Sequence, residues 1–333
     1  MKSILKILNN EKGVVAVIVG LLIVGFIGML ALVVDVGSMY EARRVDQTAA
    51  DAAALAGAQE LPDFPAEAKN KAQAYAQTYG NVTLPLEKIV ISDNNHKIEV
   101  NPEITTPLFF SGITQKTISA RAVAEVFSPL YLEGLVPFVV LKSALSFGSP
   151  TVLKSNTATK KENEKTPGQF QAMDYLDGDL WDDPNPPKGD GAKVYEYYIE
   201  HGYGGGICLN ETEKVEPGNM AVPTGDGIKA RIGTDTCTLG MVAEIRNGEL
   251  YGKDLNCPRI VLVPFTDKFP ENPSDKLTIT GFYAFFITNV VVGKVKGQDQ
   301  AEVTGQFIEN LIITSSDDVT EYTDGIKVIR LIE

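Results

Sequence analysis

The feature that most constrains this chain is an apolar run over residues 13–34 that contains no charged residue. At 1.5 Å per residue, these roughly 22 residues form a helix about 33 Å long, which is enough to cross the hydrocarbon core of a bilayer. A secretory signal peptide has a shorter apolar core with a small-x-small cleavage site close behind it, whereas this long run is followed by Asp35. The sequence therefore predicts a retained transmembrane helix over 13–34.

The charges that flank this helix indicate its orientation. The leader, residues 1–12, carries Lys2, Lys6 and Lys12 against one glutamate, while Arg43 and Arg44 lie among acidic residues on the other side. The excess of positive charge in the leader is small and favours a cytoplasmic leader. We therefore expect a single-pass protein of the cytoplasmic membrane whose C-terminal part lies outside the cytoplasm, in the cell envelope or at the cell surface.

The body of the protein is acidic. The 333 residues include 30 Lys and Arg against 43 Asp and Glu, a formal net charge of −13. Proteins that bind nucleic acid neutralise phosphates with a basic surface, which this composition does not provide. We therefore expect membrane lipid as a partner and no nucleic acid.

A second helical pattern follows the apolar run. Residues 35–62 are rich in alanine, the best helix former, and prolines at 62 and 65 mark an end. The pattern predicts one continuous helix over 13–60. Val45, Ala49, Ala52 and Ala56 form its predicted packing stripe, with Asp46 on another face.

Several motifs of this region carry a family resemblance. Residues 13–17, 31–37, 40–44 and the alanine-rich 47–58 resemble the amino end of the TadE/TadG-like Flp (tight adherence) pilus-assembly proteins. Weaker similarities to the same family occur at 107–110, 112–113, 118–124, 217–219, 258–264 and 279–286. The resemblance implies a structural component of the tight-adherence pilus and secretion system, which is not an enzyme and whose partners are other pilus or pilin-like subunits.

The rest of the chain predicts an α+β fold. Residues 63–128 form a small pilin-like α+β region, with a helix over 63–80, a hairpin of 88–92 with 97–100 around Asp93-Asn94-Asn95-His96, and a strand over 117–127. Residues 129–333 form an acidic, β-rich extracytoplasmic domain with long loops. Its predicted strands include 135–141, 193–199, 259–265, 276–292 and the closing residues.

Clustered carboxylates give one weak candidate for a cation site. Asp177, Asp179, Asp182 and Asp183 could supply the oxygen ligands that calcium prefers, although the EF-hand spacing is not met. The alternative is a solvated, adhesive loop, which the acidic composition favours.

No motif for catalysis or for a cofactor is present. His96 falls in a predicted turn, and His201 precedes a glycine-rich run without the Lys-Ser/Thr of a phosphate-binding loop. We expect no catalytic residue, no cofactor and no small-molecule substrate. Cys208, Cys237 and Cys257 allow one disulfide, and three pairings remain open.

Gly13 is a candidate position for prepilin-type processing, because it follows a short basic leader and precedes an apolar helix. Ile18 stands where major pilins carry a glutamate that neutralises a new amino terminus, and an unpaired ammonium among apolar helices is costly. We therefore expect an uncut, anchored accessory or assembly factor, and cleavage would instead indicate a minor pilin. A tethered envelope enzyme or ligand-binding module remains the alternative function.

Overall fold

The computed structural model describes residues 11–109, 114–154, 170–175, 191–215, 220–246, 249–253, 256–270, 275–295, 298–313 and 318–332. The fold is mixed α+β, as predicted, with a long N-terminal helix, a few further helices and a mostly β region afterwards. The chain divides into two compact units. The first comprises Met1–Val126 and Arg330–Glu333, and the second comprises Phe127–Ile329.

The first unit is built around one long helix, α1. The predicted continuity of this helix is confirmed, since α1 runs without interruption for 48 residues. The elements of this part of the chain are α1 (Glu11–Ala58), α2 (Pro65–Gly80), a 3-10 turn (Leu86–Lys88), β1 (Ile89–Ser92), β2 (Lys97–Val100), β3 (Glu103–Pro107), β4 (Gln115–Ser119) and β5 (Ala122–Pro129).

Two local predictions in this unit are confirmed. Helix α2 ends at Gly80, and the following residue, Asn81, adopts the left-handed conformation typical of a helix C-cap. Strands β1 and β2 form the predicted antiparallel hairpin, in which Ser92 pairs with Lys97. Its turn places Asp93, Asn94 and Asn95 at positive φ, which short polar side chains tolerate better than most.

The predicted single strand over 117–127 is wrong, because the chain there changes from one sheet to another. Strand β4 pairs with β3 in a separate hairpin, whereas β5 pairs with β2. Residues 120 and 121 lie between the two strands, and the carbonyl of Arg121 accepts a hydrogen bond from the Gln47 amide of α1 at 3.0 Å. This carbonyl is therefore bonded to the helix.

The second unit is centred on a six-stranded sheet, whose strands in spatial order are β8 (Thr151–Lys154), β17 (Gln298–Ile308), β16 (Gly281–Val295), β14 (Ile260–Thr266), β7 (Phe138–Leu141) and β9 (Phe170–Ala172). Its pairs are antiparallel except for β7 with β14. The elements here are β6 (Tyr131–Leu132), β7 (Phe138–Leu141), a 3-10 turn (Lys142–Ala144), β8 (Thr151–Lys154), β9 (Phe170–Ala172), α3 (Gly191–His201), β10 (Ile207–Cys208), β11 (Thr212–Glu213), α4 (Ala221–Ile232), α5 (Leu239–Val242), β12 (Ala243–Arg246), β13 (Glu249–Gly252), β14 (Ile260–Thr266), β15 (Leu277–Thr278), β16 (Gly281–Val295), β17 (Gln298–Ile308), β18 (Ile312–Ile313), β19 (Val319–Glu321) and β20 (Lys327–Leu331).

The predicted strand over 193–199 is a further error, since these residues belong to helix α3. Val194, Tyr195, Tyr198 and Ile199 are buried, and their spacing is that of one face of a helix. Tyr195 and Ile199 pack in one cluster with Ile228 of α4 and with residues of the central sheet. Burial of this face outweighs the strand preference of the aromatic residues.

The chain returns to the first unit at its last residues. Strand β20 begins in the second unit, and residues 330–332 lie in the first. There the backbone N–H of Ile332 donates to the carbonyl of Val123 in β5 at 2.9 Å. The second unit is therefore an insertion between two neighbouring segments of the first.

Candidate functional site

The first half of α1 presents an apolar surface on all sides. Within the helix Val14–Ala58, the most apolar window has a mean hydropathy of 3.1 and none of its residues is buried. Ile18, which stands where pilins carry glutamate, is 51% exposed. By length and composition, this is the one helix in the described part of the chain that is able to cross a membrane.

The environment of α1 changes at Asp35, the first charged residue after the apolar run. Asp35 is 3% exposed, although the residues on either side of it are exposed. Its Oδ1 accepts a hydrogen bond at 2.8 Å from the backbone N–H of Phe109, which follows strand β3. The β3–β4 hairpin therefore covers this carboxylate at the end of the apolar segment.

Beyond Asp35, one face of α1 is buried against the rest of the first unit. This face contains Ala42, Asp46, Ala49, Ala53 and Ala56, at intervals of four and three residues. Small side chains on such a face let a neighbouring backbone approach closely.

At its first position, the predicted packing stripe on α1 differs from the buried face by about one residue. Val45 is 36% exposed, whereas Asp46 is completely buried. One residue corresponds to a rotation of about 100° around the helix. The carboxylate of Asp46 therefore points into the packed face, contrary to the prediction.

Helix α2 packs against the same region at close range. A Cβ atom added to Gly57 would lie 2.5 Å from Ile98 Cδ1 of β2 and 2.9 Å from the carbonyl oxygen of Ala68 in α2. The buried carboxylate of Glu60 forms an ion pair with Lys71 of α2. These contacts hold α1, α2 and the β1–β2 hairpin together.

Polar side chains of α1 donate hydrogen bonds to backbone carbonyls where β4 ends and just before β5 begins. Arg43 donates to the carbonyl of Ser119, at the end of β4. Gln47 donates to the carbonyl of Arg121 and also to Asp51 Oδ1, at 3.0 Å and 2.8 Å. The Arg121 guanidinium in turn binds Glu99 at 2.8 Å and lowers the pKa of that carboxyl.

Asp46 is the least satisfied carboxylate of this face. Of the residues that the structure describes, it is the one whose two carboxylate oxygens are both buried without a hydrogen bond of regular geometry. Burial raises the pKa of Asp46 to about 6, while the backbone of Ala120 and the charge of Arg43 lower it by less. The sequence signal that could have placed it is its spacing, four residues after Ala42 and three before Ala49.

The other predicted site residues, which are the aspartate cluster, Gly13 and the three cysteines, are not part of this buried face of α1. Asp177, Asp179, Asp182 and Asp183 lie outside the described residues, as do the leader residues 1–10. Gly13 lies in the first turns of α1. A disulfide joins Cys237 to Cys257, whose Cα atoms are 6.3 Å apart. Cys208 is not part of this disulfide, and its backbone N–H donates a hydrogen bond to Glu211 at 2.8 Å.

The histidines and the glycine-rich run have structural surroundings. The ring of His201 stacks on Tyr197, and their centroids are 4.3 Å apart. His96 closes the β1–β2 turn through its backbone N–H, which donates to Asp93 at 2.8 Å. In the glycine-rich run, Gly202 and Gly206 have positive φ, as residues of turns do. A cavity of about 570 Å³ lies elsewhere in the second unit, lined by Thr266, Asp267, Lys268, Phe269, Pro270, Asp275, Lys276, Leu277, Thr278 and Thr280.

Comparison with known proteins identifies the region that contains this packed face. Residues 13–60 match the model of a family described as putative Flp pilus-assembly TadE/G-like. The resemblance predicted from the sequence is thus confirmed for this segment, which comprises nearly all of α1. No curated protein and no solved structure matches the chain.

Proposed function

We propose that this chain is an anchored accessory or assembly component of a Tad/Flp-type pilus or secretion system, held in the cytoplasmic membrane by residues 13–34 with its body outside the cytoplasm. The observation that carries the proposal is the division of α1 into an exposed apolar half and a half that packs against its own unit. The match to the pilus-assembly family covers both halves. That family is structural, and an anchored pilus component is consistent with it.

The accessory role is supported by the chemistry of the apolar half. Residues 13–34 contain no carboxylate that could neutralise an amino terminus created by cleavage after Gly13. An unpaired ammonium in an apolar helix bundle is strongly disfavoured. A chain that keeps its leader retains instead a basic segment suited to the cytoplasmic face.

The role in pilus assembly is tested by deleting the gene in its host and counting pili by electron microscopy. We expect loss of pili, restored by the full-length chain but not by a chain that lacks residues 1–34. In purified filaments the protein should be absent or present in far less than the amount of the main subunit. Normal piliation in the deletion strain would instead favour the tethered enzyme or ligand-binding module.

Processing and topology have separate tests. The intact mass of protein extracted from membranes should include the leader, and a species that begins at Val14 would move the protein to the minor pilins. Protease added to spheroplasts should digest the region after residue 60 and spare the leader. Protection of the body in intact spheroplasts would reverse the proposed orientation.

A further inference from the structure

The β3–β4 hairpin has a fixed direction relative to α1. At one end, the backbone N–H of Phe109 binds Asp35. At the other end, Ser119, which pairs with Glu103, accepts a hydrogen bond from Arg43. Residues 35 and 43 are about 12 Å apart along the helix axis. Phe109 therefore lies at the level where the apolar segment ends, and the pair of Glu103 with Ser119 lies farther from that segment.

From this geometry we propose that the side chain of Phe109, the second residue after β3, inserts into the lipid interface beside the transmembrane helix. The proposal rests on the membrane anchor of the proposed function, because α1 fixes the height of Phe109. It assigns a second membrane contact to a segment that is more than 70 residues away from the anchor in the sequence.

The exposed side chains at this level are those that a lipid interface favours. Phe109 is 69% exposed, while its neighbour Leu108 is 8% exposed and packs inward. On α1, Val36 and Tyr40 are also exposed, at 50% and 72%. Tyrosine and tryptophan are enriched where a protein passes from hydrocarbon to headgroups, which fits Tyr40, and an exposed Phe gains free energy by leaving water.

The charges nearby favour lipid over a protein partner. Lys116 of β4 is exposed and pairs with Thr106, next to the last described pair of the hairpin, Pro107 with Gln115. A lysine there is attracted to anionic lipids. The carboxylate of Asp35, which would be repelled by the same lipids, is covered and hydrogen-bonded by the hairpin. The hairpin thus presents an apolar and a basic residue to the membrane and shields an acidic one.

Tryptophan fluorescence in vesicles tests this contact with the full chain. Trp181 is the one tryptophan of the sequence, so the background variant is Trp181→Phe. Into it are placed, singly, Phe109→Trp, Val34→Trp as a residue of the anchor, and Val90→Trp as an exposed control of the same unit. Val90 is 49% exposed. Val90 pairs with Glu99, whose neighbour Ile98 packs against Gly57 of α1. Gly57 lies about 33 Å beyond Asp35 along the helix axis, so Val90 is far from the end of the apolar segment.

Each variant is reconstituted into phosphatidylethanolamine and phosphatidylglycerol vesicles with and without brominated acyl chains, which quench tryptophan within the bilayer. We expect F109W and V34W to lose comparable fractions of their emission and to emit at shorter wavelength than V90W, which should lose none. Quenching of V34W but not of F109W would overturn this inference and leave the anchor intact. If V34W is not quenched either, both the anchor and the inference are wrong.

Discussion

Asp46 is a carboxylate buried in a helix face that is otherwise lined mainly by alanine. Its pKa of about 6 in the folded chain is higher than the ordinary value of 3.8, chiefly because burial disfavours the ionised form. The folded chain therefore binds this proton more tightly than the unfolded chain does. The contribution of Asp46 to the free energy of unfolding is most favourable below about pH 4, decreases between about pH 4 and 6, and is lowest above that range.

The substitution Asp46→Asn should remove this pH dependence. We expect the variant to be more stable than the parent by about 2–3 kcal/mol at pH 7.5, with little difference at pH 4, because the neutral amide replaces a carboxylate whose ionisation opposes folding. Denaturant unfolding of the full chain in detergent, followed by circular dichroism, measures this difference. Asp51→Asn on the same helix is the control, and an equal gain there would contradict the assignment to Asp46.

Gly57 and Gly37 form a matched pair on α1. An added Cβ at Gly57 meets Ile98 and the Ala68 carbonyl within 3 Å, whereas at Gly37 nothing lies within 4 Å. We expect Gly57→Ala to destabilise the first unit by about 1–3 kcal/mol through overpacking. Gly37→Ala should be neutral or stabilising by up to about 1 kcal/mol, because alanine is the better helix former. Thermal unfolding curves that do not differ between the two variants would contradict the close packing of α1, α2 and β2.

At the scale of elements, α1 shows how one regular helix serves two environments. Its backbone is continuous, and only the side chains change, from large apolar residues on all sides to a face of small residues beyond Asp35. The small residues allow α2 and two hairpins to approach, so that this half of the helix packs against protein while the apolar half remains exposed.

The disulfide connects two elements of the second unit. Cys237 follows α4, and Cys257 precedes β14, so the bond closes a loop that contains α5 and the β12–β13 hairpin. We expect Cys257→Ser to lower the free energy of unfolding by about 3 kcal/mol, because a loop of this size restricts the unfolded chain. Thiol labelling of the unreduced, denatured parent should modify Cys208 alone. Three labelled cysteines without reduction would show that no disulfide forms.

Elements with strong local signals could be predicted from the sequence. The β1–β2 hairpin has a turn of Asp and Asn residues, and α2 has a proline at its start and Asn81 at its end. The segment that forms α3 lacked such signals, since Lys193–Ile199 mixes aromatic and β-branched residues whose strand preference was misleading. The hydrogen bond between Asp35 and Phe109 joins residues 74 positions apart. Such a contact depends on tertiary packing, and no local sequence pattern predicts it.

At the scale of the whole molecule, the second unit is an insertion in the first. The chain leaves the first unit within β5 and re-enters it within β20. The segments on either side of the insertion are held together by the hydrogen bond of Ile332 to Val123.

Replacing residues 127–329 by a short glycine-serine linker should therefore leave the first unit folded and anchored. The buried face of α1 is covered by α2 and hairpins from residues 65–126, so its packing does not require the inserted residues. We expect a helical circular-dichroism spectrum, cooperative unfolding and retention in carbonate-washed membranes. Loss of helical signal or of cooperative unfolding would show that the first unit depends on the second.

Two covalent crossings between the units also have a mechanical consequence. A pulling force applied to the second unit reaches the first through two peptide connections, at residues 126–127 and at 329–330. The tension is therefore divided between two segments of the chain. Each crossing then bears part of the load, and β5 must yield together with the terminal segment that is bonded to it before the first unit extends. A protein connected in this way resists detachment of its inserted unit better than one whose domains follow each other in series.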